Sequence, residues 1–155
     1  MMNVRILAVG KLKEAWQREA VAEYEKRLGR FCRLTVVQVE DERDDRPAAT
    51  VKQKEGARLL ARIAPTDHVV AMAIEGREYD SVAFAAHLEN LSGRLRGDLV
   101  FVIGGSVGLD EAVLERADEQ ISLSRMTFHH MMARVILLEQ IYRAFKINAG
   151  ETYHK

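Results

Sequence analysis

Apolar positions along the chain follow two alternating rhythms. Five short runs read as strands: residues 4–9, 34–39, 68–74, 99–103 and a brief one at 120–123. The runs at 68–74 (His-Val-Val-Ala-Met-Ala-Ile) and 99–103 (Leu-Val-Phe-Val-Ile) lack polar alternation. Such strands are buried on both faces, the habit of a parallel sheet. Between the runs, apolar residues recur at helical spacing. Residues 14–28 set Trp16, Ala20, Tyr24 and Leu28 on one stripe. Pro47 suits the first turn of a helix, which continues over 51–63 through Val51, Leu59, Leu60 and Ile63 before Pro65 and Asp67 break it. Gly76 ends the third strand, and Ser81 is placed to cap a helix over 82–91. Asp110 is placed to cap a short helix, and residues 130–147 form the last one, stopped by Gly150. The order βαβαβαβαβα predicts a single α/β domain over residues 1–155, with a mainly parallel sheet and helices on both faces.

Composition narrows the class. A chain of 155 residues, 48% apolar and 30% charged, has the size and makeup of one ordinary globular domain. No run approaches the roughly 18 apolar residues of a membrane span, and the apolar start is too short for a signal peptide. The lone Cys32 excludes an intrachain disulfide and a cysteine-based zinc site. A cytoplasmic protein is expected. Zero net charge argues against a dedicated nucleic-acid binder, but the average hides an asymmetry. Residues 1–33 carry 8 basic and 4 acidic groups, residues 34–124 carry 10 and 17, and residues 125–155 carry 5 and 2. If the two ends meet in space, they form a basic face. The acid-rich stretch 40–46 reads as an exposed, mobile loop.

The sharpest local feature is the glycine loop Gly104-Gly105-Ser106-Val107-Gly108, placed after the fourth strand. Glycines there let a ligand approach the backbone at the carboxyl end of a parallel sheet. The loop fits neither the P-loop pattern nor G-x-G-x-x-G, and the first strand ends with a single glycine. A nucleotide-like cofactor would therefore bind in the C-terminal half. Met72, taken alone, reads as core. The segment 122–128 mixes hydroxyls with Arg125, which would meet the glycine loop if both follow neighbouring strands. His130 and Arg134 share a helix face, with no carboxylate at ligand spacing, so no metal site is expected. The last helix is apolar on more than one stripe, through Met131, Val135, Leu138, Tyr142 and Phe145, widened by Ile136, Ile141 and Ala144. A terminal helix in a small chain finds core on one side only, which predicts a homodimer. The tail ends Tyr153-His154-Lys155, an aromatic, an imidazole and a cation able to stack, titrate and meet phosphate. Tails of this kind usually stay loose.

Several segments together resemble the SPOUT methyltransferases, and more narrowly the family that methylates N3 of a pseudouridine in large-subunit ribosomal RNA. They are residues 6–11 (Ile-Leu-Ala-Val-Gly-Lys), Lys54-Glu55-Gly56, residues 101–106 with Gly108-Leu109, Ser124-Arg125-Met126-Thr127-Phe128, Tyr142-Arg143-Ala144-Phe145, and Tyr153-His154-Lys155. The resemblance spans the chain. It implies a parallel-sheet α/β fold with a C-terminal trefoil knot, which nothing in the periodicity indicates. It implies S-adenosyl-L-methionine as cofactor, held by Met72, Gly104, Leu123, Ser124, Arg125, Met126, Thr127 and Phe128. It points to 23S ribosomal RNA in the assembled ribosome as partner, with no membrane and no metal involved. For the chemistry, His154 is the candidate base and Tyr153 stacks on or hydrogen-bonds the target ring. Arg134 and His130 would steady the charge that develops on it. His129 stands where the family often has proline, which would loosen the helix start. The competing expectations are a non-catalytic α/β module that binds a nucleotide or acidic partner, and methylation of another RNA.

Overall fold

The computed structural model describes residues 1–43 and 45–155; Asp44, within the charged loop expected over 40–46, lies outside the described residues. Strands and helices alternate as β1 (Asn3–Val9), α1 (Ala15–Leu28), β2 (Arg33–Val39), α2 (Ala48–Leu60), β3 (His68–Glu78), α3 (Ser81–Ser92), β4 (Leu99–Ile103), α4 (Glu111–Arg116), β5 (Glu119–Ser122) and α5 (His130–Asn148). The strands form one sheet in the order β2-β1-β4-β3-β5, and every pairing is parallel. No helix among the described residues is long and apolar enough to cross a membrane.

Alternation along each strand divides the core into two layers. Val4, Ile6 and Ala8 of β1 and Leu99, Phe101 and Ile103 of β4 face α1, α3 and α5. Leu7 and Val9 of β1 and Val100 and Val102 of β4 face α2 and α4, through Leu59 and Val113. Every β4 side chain is buried, as its continuous apolar run requires.

Tertiary packing moved several boundaries and faces. The buried stripe of α1 runs through Gln17, Val21 and Leu28, keeping Leu28 of the expected stripe but taking Gln17 and Val21 in place of Trp16 and Ala20, and Trp16 is 52% exposed. Helix α2 ends at Leu60, short of Ile63, because Arg5 Nη1 takes the carbonyl of Arg62 at 2.6 Å and Asp67 accepts the N–H of Ala64 at 2.8 Å. Asp80, not Ser81, caps α3 by accepting from the Ala83 N–H at 2.7 Å; the Ser81 hydroxyl donates to Gln140 Oε1 at 2.8 Å. The charged loop after β2 is partly tied down, since Glu42 receives Arg58 at 2.5 Å and Lys54 at 3.7 Å.

Strand β3 does not stop at Gly76. Met72 and Arg77 both stand opposite Ile121, and residues 73–76 bulge out between them. Within the bulge the Gly76 backbone lies on β5: a Cβ there would sit 2.7 Å from backbone atoms of Gln120 and Ile121. The glycine permits a close approach of two strands, where the sequence alone reads a stop signal.

Helix α5 buries Met131, Arg134, Leu137, Leu138, Ile141 and Ala144, with α1 and α3 on its flanks, so much of its apolar breadth is used within one chain. The two basic ends meet along α1 and α5. Phe31 stacks on Phe145 at 5.7 Å, Tyr24 meets Tyr142 at 6.1 Å, and Arg27 lies over both tyrosine rings.

Two measurements check this packing. Gly76→Ala should cost about 1–3 kcal/mol by overpacking, read as a lower denaturant midpoint; an unchanged midpoint would mean that the bulge relaxes freely. Cys32 is buried, and burial pushes its thiol up to about 11. It should resist alkylation at mildly alkaline pH until the chain is denatured; labelling of the native protein at the rate of a free thiol would contradict that environment.

Candidate functional site

The carboxyl ends of β3, β4 and β5 open onto a cleft of about 350 Å³. Ligands of open parallel sheets bind at this end. One wall is the β3 bulge with Met72, Ala73 and Ile74; a second is the loop Gly104, Gly105, Ser106, Gly108 and Leu109 after β4. The third is the segment after β5, and His129, His130 and Ala133 at the start of α5 close the floor. Of the residues expected to hold a cofactor, Met72, Gly104, Leu123, Ser124, Met126, Thr127 and Phe128 come together here, while Arg125 is exposed and does not line the cleft. The loops are held by their own bonds. Gly108 N–H donates to the Gly105 carbonyl at 3.1 Å, the Ser122 hydroxyl to the Ser124 carbonyl at 2.9 Å, and Met126 N–H to Ser124 Oγ at 3.0 Å. Ile74, Met126 and Phe128 leave an exposed apolar rim.

At the start of α5, His129 does what a cap residue does: its Nδ1 accepts the N–H of Met131 at 3.2 Å. His129 thus secures the helix start, where the sequence reading expected a loosened one. Its ring stacks on His130 at 4.5 Å. Burial, then the neighbouring His129 and Arg134, hold His130 below the ordinary imidazole range. One turn further, Arg134 is fully enclosed. Its Nη2 donates to the carbonyls of Gly10 at 3.0 Å and Val9 at 3.4 Å, and its Nε and Nη1 have no hydrogen-bond partner among the described residues. Burial pulls this guanidinium down to about 10, so it remains a cation at neutral pH. It lies behind the cleft wall and does not line it.

Tyr153 and His154 are elsewhere. The tail is ordered against the far end of α5. Tyr153 Oη donates to Glu139 Oε1 at 3.2 Å, Arg143 pairs with the same carboxylate at 2.6 Å, and Glu151 pairs with Arg30 and Lys146. Arg143 Nη1 donates to His154 Nδ1 at 3.1 Å, since a guanidinium has no lone pair to accept with. That bond leaves His154 Nε2 as the free ring position. The helix rises roughly 20 Å between His130 and Arg143. The four expected catalytic residues therefore form two pairs, one at each end of α5.

A second cavity of about 480 Å³ adjoins the first and shares Gly105, Ser106, His129 and His130 with it. Its other walls include Lys13, Trp16, Gln17, Asp41, Glu42 and Glu55. Glu55 is 4% exposed. Its Oε2 accepts the N–H of Glu42 at 2.9 Å, and its Oε1 has no partner among the described residues. Burial is the main influence on its carboxyl and pushes it above the usual range. Sequence reasoning gave Glu55 no role and set Trp16 on the apolar stripe of the first helix; the signal for Glu55 was its place in the segment 54–56.

Comparison with known proteins agrees with this architecture. Residues 2–154 match the family model described as "Predicted SPOUT methyltransferase". A Listeria monocytogenes (serotype 4a, strain HCC23) protein named Ribosomal RNA large subunit methyltransferase H is 48% identical, the alignment covering 99% of this chain and 100% of the relative. A protein of the same name from Ligilactobacillus salivarius (strain UCC118) is 50% identical over the same shares. Among solved structures, a probable rRNA-methyltransferase from Porphyromonas gingivalis shares the fold, with a TM-score of 0.54 at 12% identity over 95% of this chain and 70% of that one. With the match running almost from end to end, the chain belongs to the SPOUT methyltransferase family.

Proposed function

We propose that this chain is a single-domain, S-adenosyl-L-methionine-dependent enzyme that methylates N3 of a pseudouridine in 23S ribosomal RNA, acting as a homodimer on assembled ribosomes in the cytoplasm. The observation that carries the reading is the cleft itself. The bulge of β3 and the segments after β4 and β5 meet there, in a chain that aligns over its full length with relatives named for large-subunit ribosomal RNA methylation. In this reading the segment after β5 passes through a trefoil knot.

The cleft suits the cofactor. Its walls are mainly apolar, with Met72, Leu123 and Phe128 offering surface for a flat heterocycle, and the glycine loop lets a ligand reach backbone groups. The bound cofactor supplies a sulfonium methyl. The protein's part is to align the target nitrogen with it, a proximity effect, and to accommodate the proton that N3 must lose. His130, held neutral by burial, stands at the cleft floor to take or relay a proton. Arg134 supplies a fixed positive charge behind it. Tyr153 and His154 lie too far along α5 to serve the cleft of their own chain, so in the dimer they serve the partner's. The exposed apolar rim of Ile74, Met126 and Phe128 supports such an interface. His154 must leave Arg143 to act as a base through Nδ1; with that bond kept, Nε2 can only donate to a ring oxygen.

The reading is tested by incubating the protein with methyl-labelled cofactor and unmodified ribosomes, alongside separated subunits and naked ribosomal RNA. 3-Methylpseudouridine should form with assembled ribosomes and weakly with naked RNA. Label on a different nucleoside would make this a methyltransferase for another RNA. Absence of both label and cofactor binding would leave a non-catalytic module. A Cβ on Gly104 would press within 2.9 Å of Gly108 backbone, so Gly104→Ala should weaken cofactor affinity about tenfold or more by calorimetry; unchanged affinity would remove the loop from the site. His154→Ala should slow turnover with little change in cofactor affinity. Mixing His154→Ala with Gly104→Ala protein should restore up to about a quarter of wild-type activity through mixed dimers. No recovery would place the tail's action within its own chain.

A further inference from the structure

The second cavity lies where the sheet's connections diverge. β1 leads to β2 on one side, β4 leads through α4 to β5 on the other, and β1 and β4 are neighbours. Crevices at such switch points are where parallel sheets bind ligands, and this one borders the cofactor cleft, sharing Gly105, Ser106, His129 and His130 with it. Two features of it have no structural employment. Trp16 holds an indole half in solvent at the rim, and Glu55 keeps one carboxylate oxygen without a partner among the described residues although the side chain is 4% exposed. A buried acceptor left unpaired costs stability in the free protein. An exposed indole beside it offers a face for a flat ring.

Resting on the functional reading above, we infer that this second cavity receives the target base, with Trp16 against its face and Glu55 Oε1 accepting the N1–H that pseudouridine has and uridine lacks. In a pseudouridine ring N1–H and N3 point in different directions, on either side of the C2 carbonyl. A ring whose N3 faces the cofactor cleft therefore turns N1–H toward another wall. The meeting of two cavities at Gly105 provides that second wall: a Cβ at Gly105 would lie 2.9 Å from Glu55 Oε1. The terminal torsion of a glutamate is soft, and a small turn brings Oε1 to the cavity surface while Oε2 keeps the Glu42 N–H. A site built to bond a donor rejects the analogue without it, because its own acceptor then stays unpaired. Glu55 is in this view the residue that reads pseudouridine against uridine.

The test uses the intact dimer and single-turnover rates on two ribosome preparations, one carrying pseudouridine at the target position and one carrying uridine there. Glu55→Gln keeps size and can still accept from Glu42, which leaves the amide donor facing the cavity. It should slow the pseudouridine reaction about tenfold or more and change the uridine reaction by less than about twofold, so that discrimination collapses. Glu55→Ala should give the same collapse. Affinity for S-adenosylhomocysteine should stay within about twofold in both. Equal slowing on both ribosomes, unchanged discrimination, loss of folding in Glu55→Gln, or a tenfold loss of S-adenosylhomocysteine affinity would each overturn the assignment. Failure of the wild type to methylate pseudouridine ribosomes at all would instead bring down the functional reading on which it rests.

Discussion

The site depends on one buried contact between the two ends of the fold. Arg134 of α5 donates to the carbonyls of Val9 and Gly10 at the end of β1. It thereby fixes the start of the last helix over the carboxyl edge of the sheet. That placement brings His129 and His130 to the floor of the cleft and turns three strand ends and a helix start into one enclosure. A guanidinium enclosed without a carboxylate is costly. The chain meets that cost where the geometry of its site is set, and the same enclosed cation puts a positive field behind a cleft proposed to handle a ring that loses a proton.

Most of the architecture was legible because the strands are nearly uniform. Residues 99–103 cannot sit at a wet edge, and the central β4 is where they are found. The glycine loop and the segment 122–128 were legible as a site, the first from backbone freedom and the second through its resemblance. Other features were hidden for physical reasons. Glutamate in a helix reads as solvent-facing, and only the packing of α2 against the strand ends buries Glu55. Trp16 reads as core by residue type, yet the stripe through Gln17 and Val21 leaves it outside. Gly76 carries the same one-letter signal whether it ends a strand or lets two strands touch. The order in the tail comes from Glu139, Arg143 and Glu151, whose pairing needs the folded end of α5.

The neutral overall charge also takes on a different meaning once the ends are joined. The acidic middle of the chain does not make its helices acidic, since α2 carries Lys52, Lys54 and Arg58 against Glu55; α1 and α5 lie side by side, and Arg27, Arg30 and Arg143 sit over aromatic rings there. Much of the charge that the two ends bring together is thus matched locally, Arg30 and Lys146 by Glu151 and Arg143 by Glu139.

The β3 bulge has a consequence for the order in which the molecule is made. Residues 73–76 are displaced only relative to β5, since Met72 and Arg77 both take Ile121 as their register partner. That partner is synthesised more than forty residues after the bulge begins. Until β5 arrives, β3 has no reason to buckle, and one wall of the cleft does not exist. Pairings this distant in sequence form slowly. Whatever else of the sheet has formed, the cofactor site cannot be complete before β3 and β5 pair, which ties ligand binding to one of the more distant contacts in the chain.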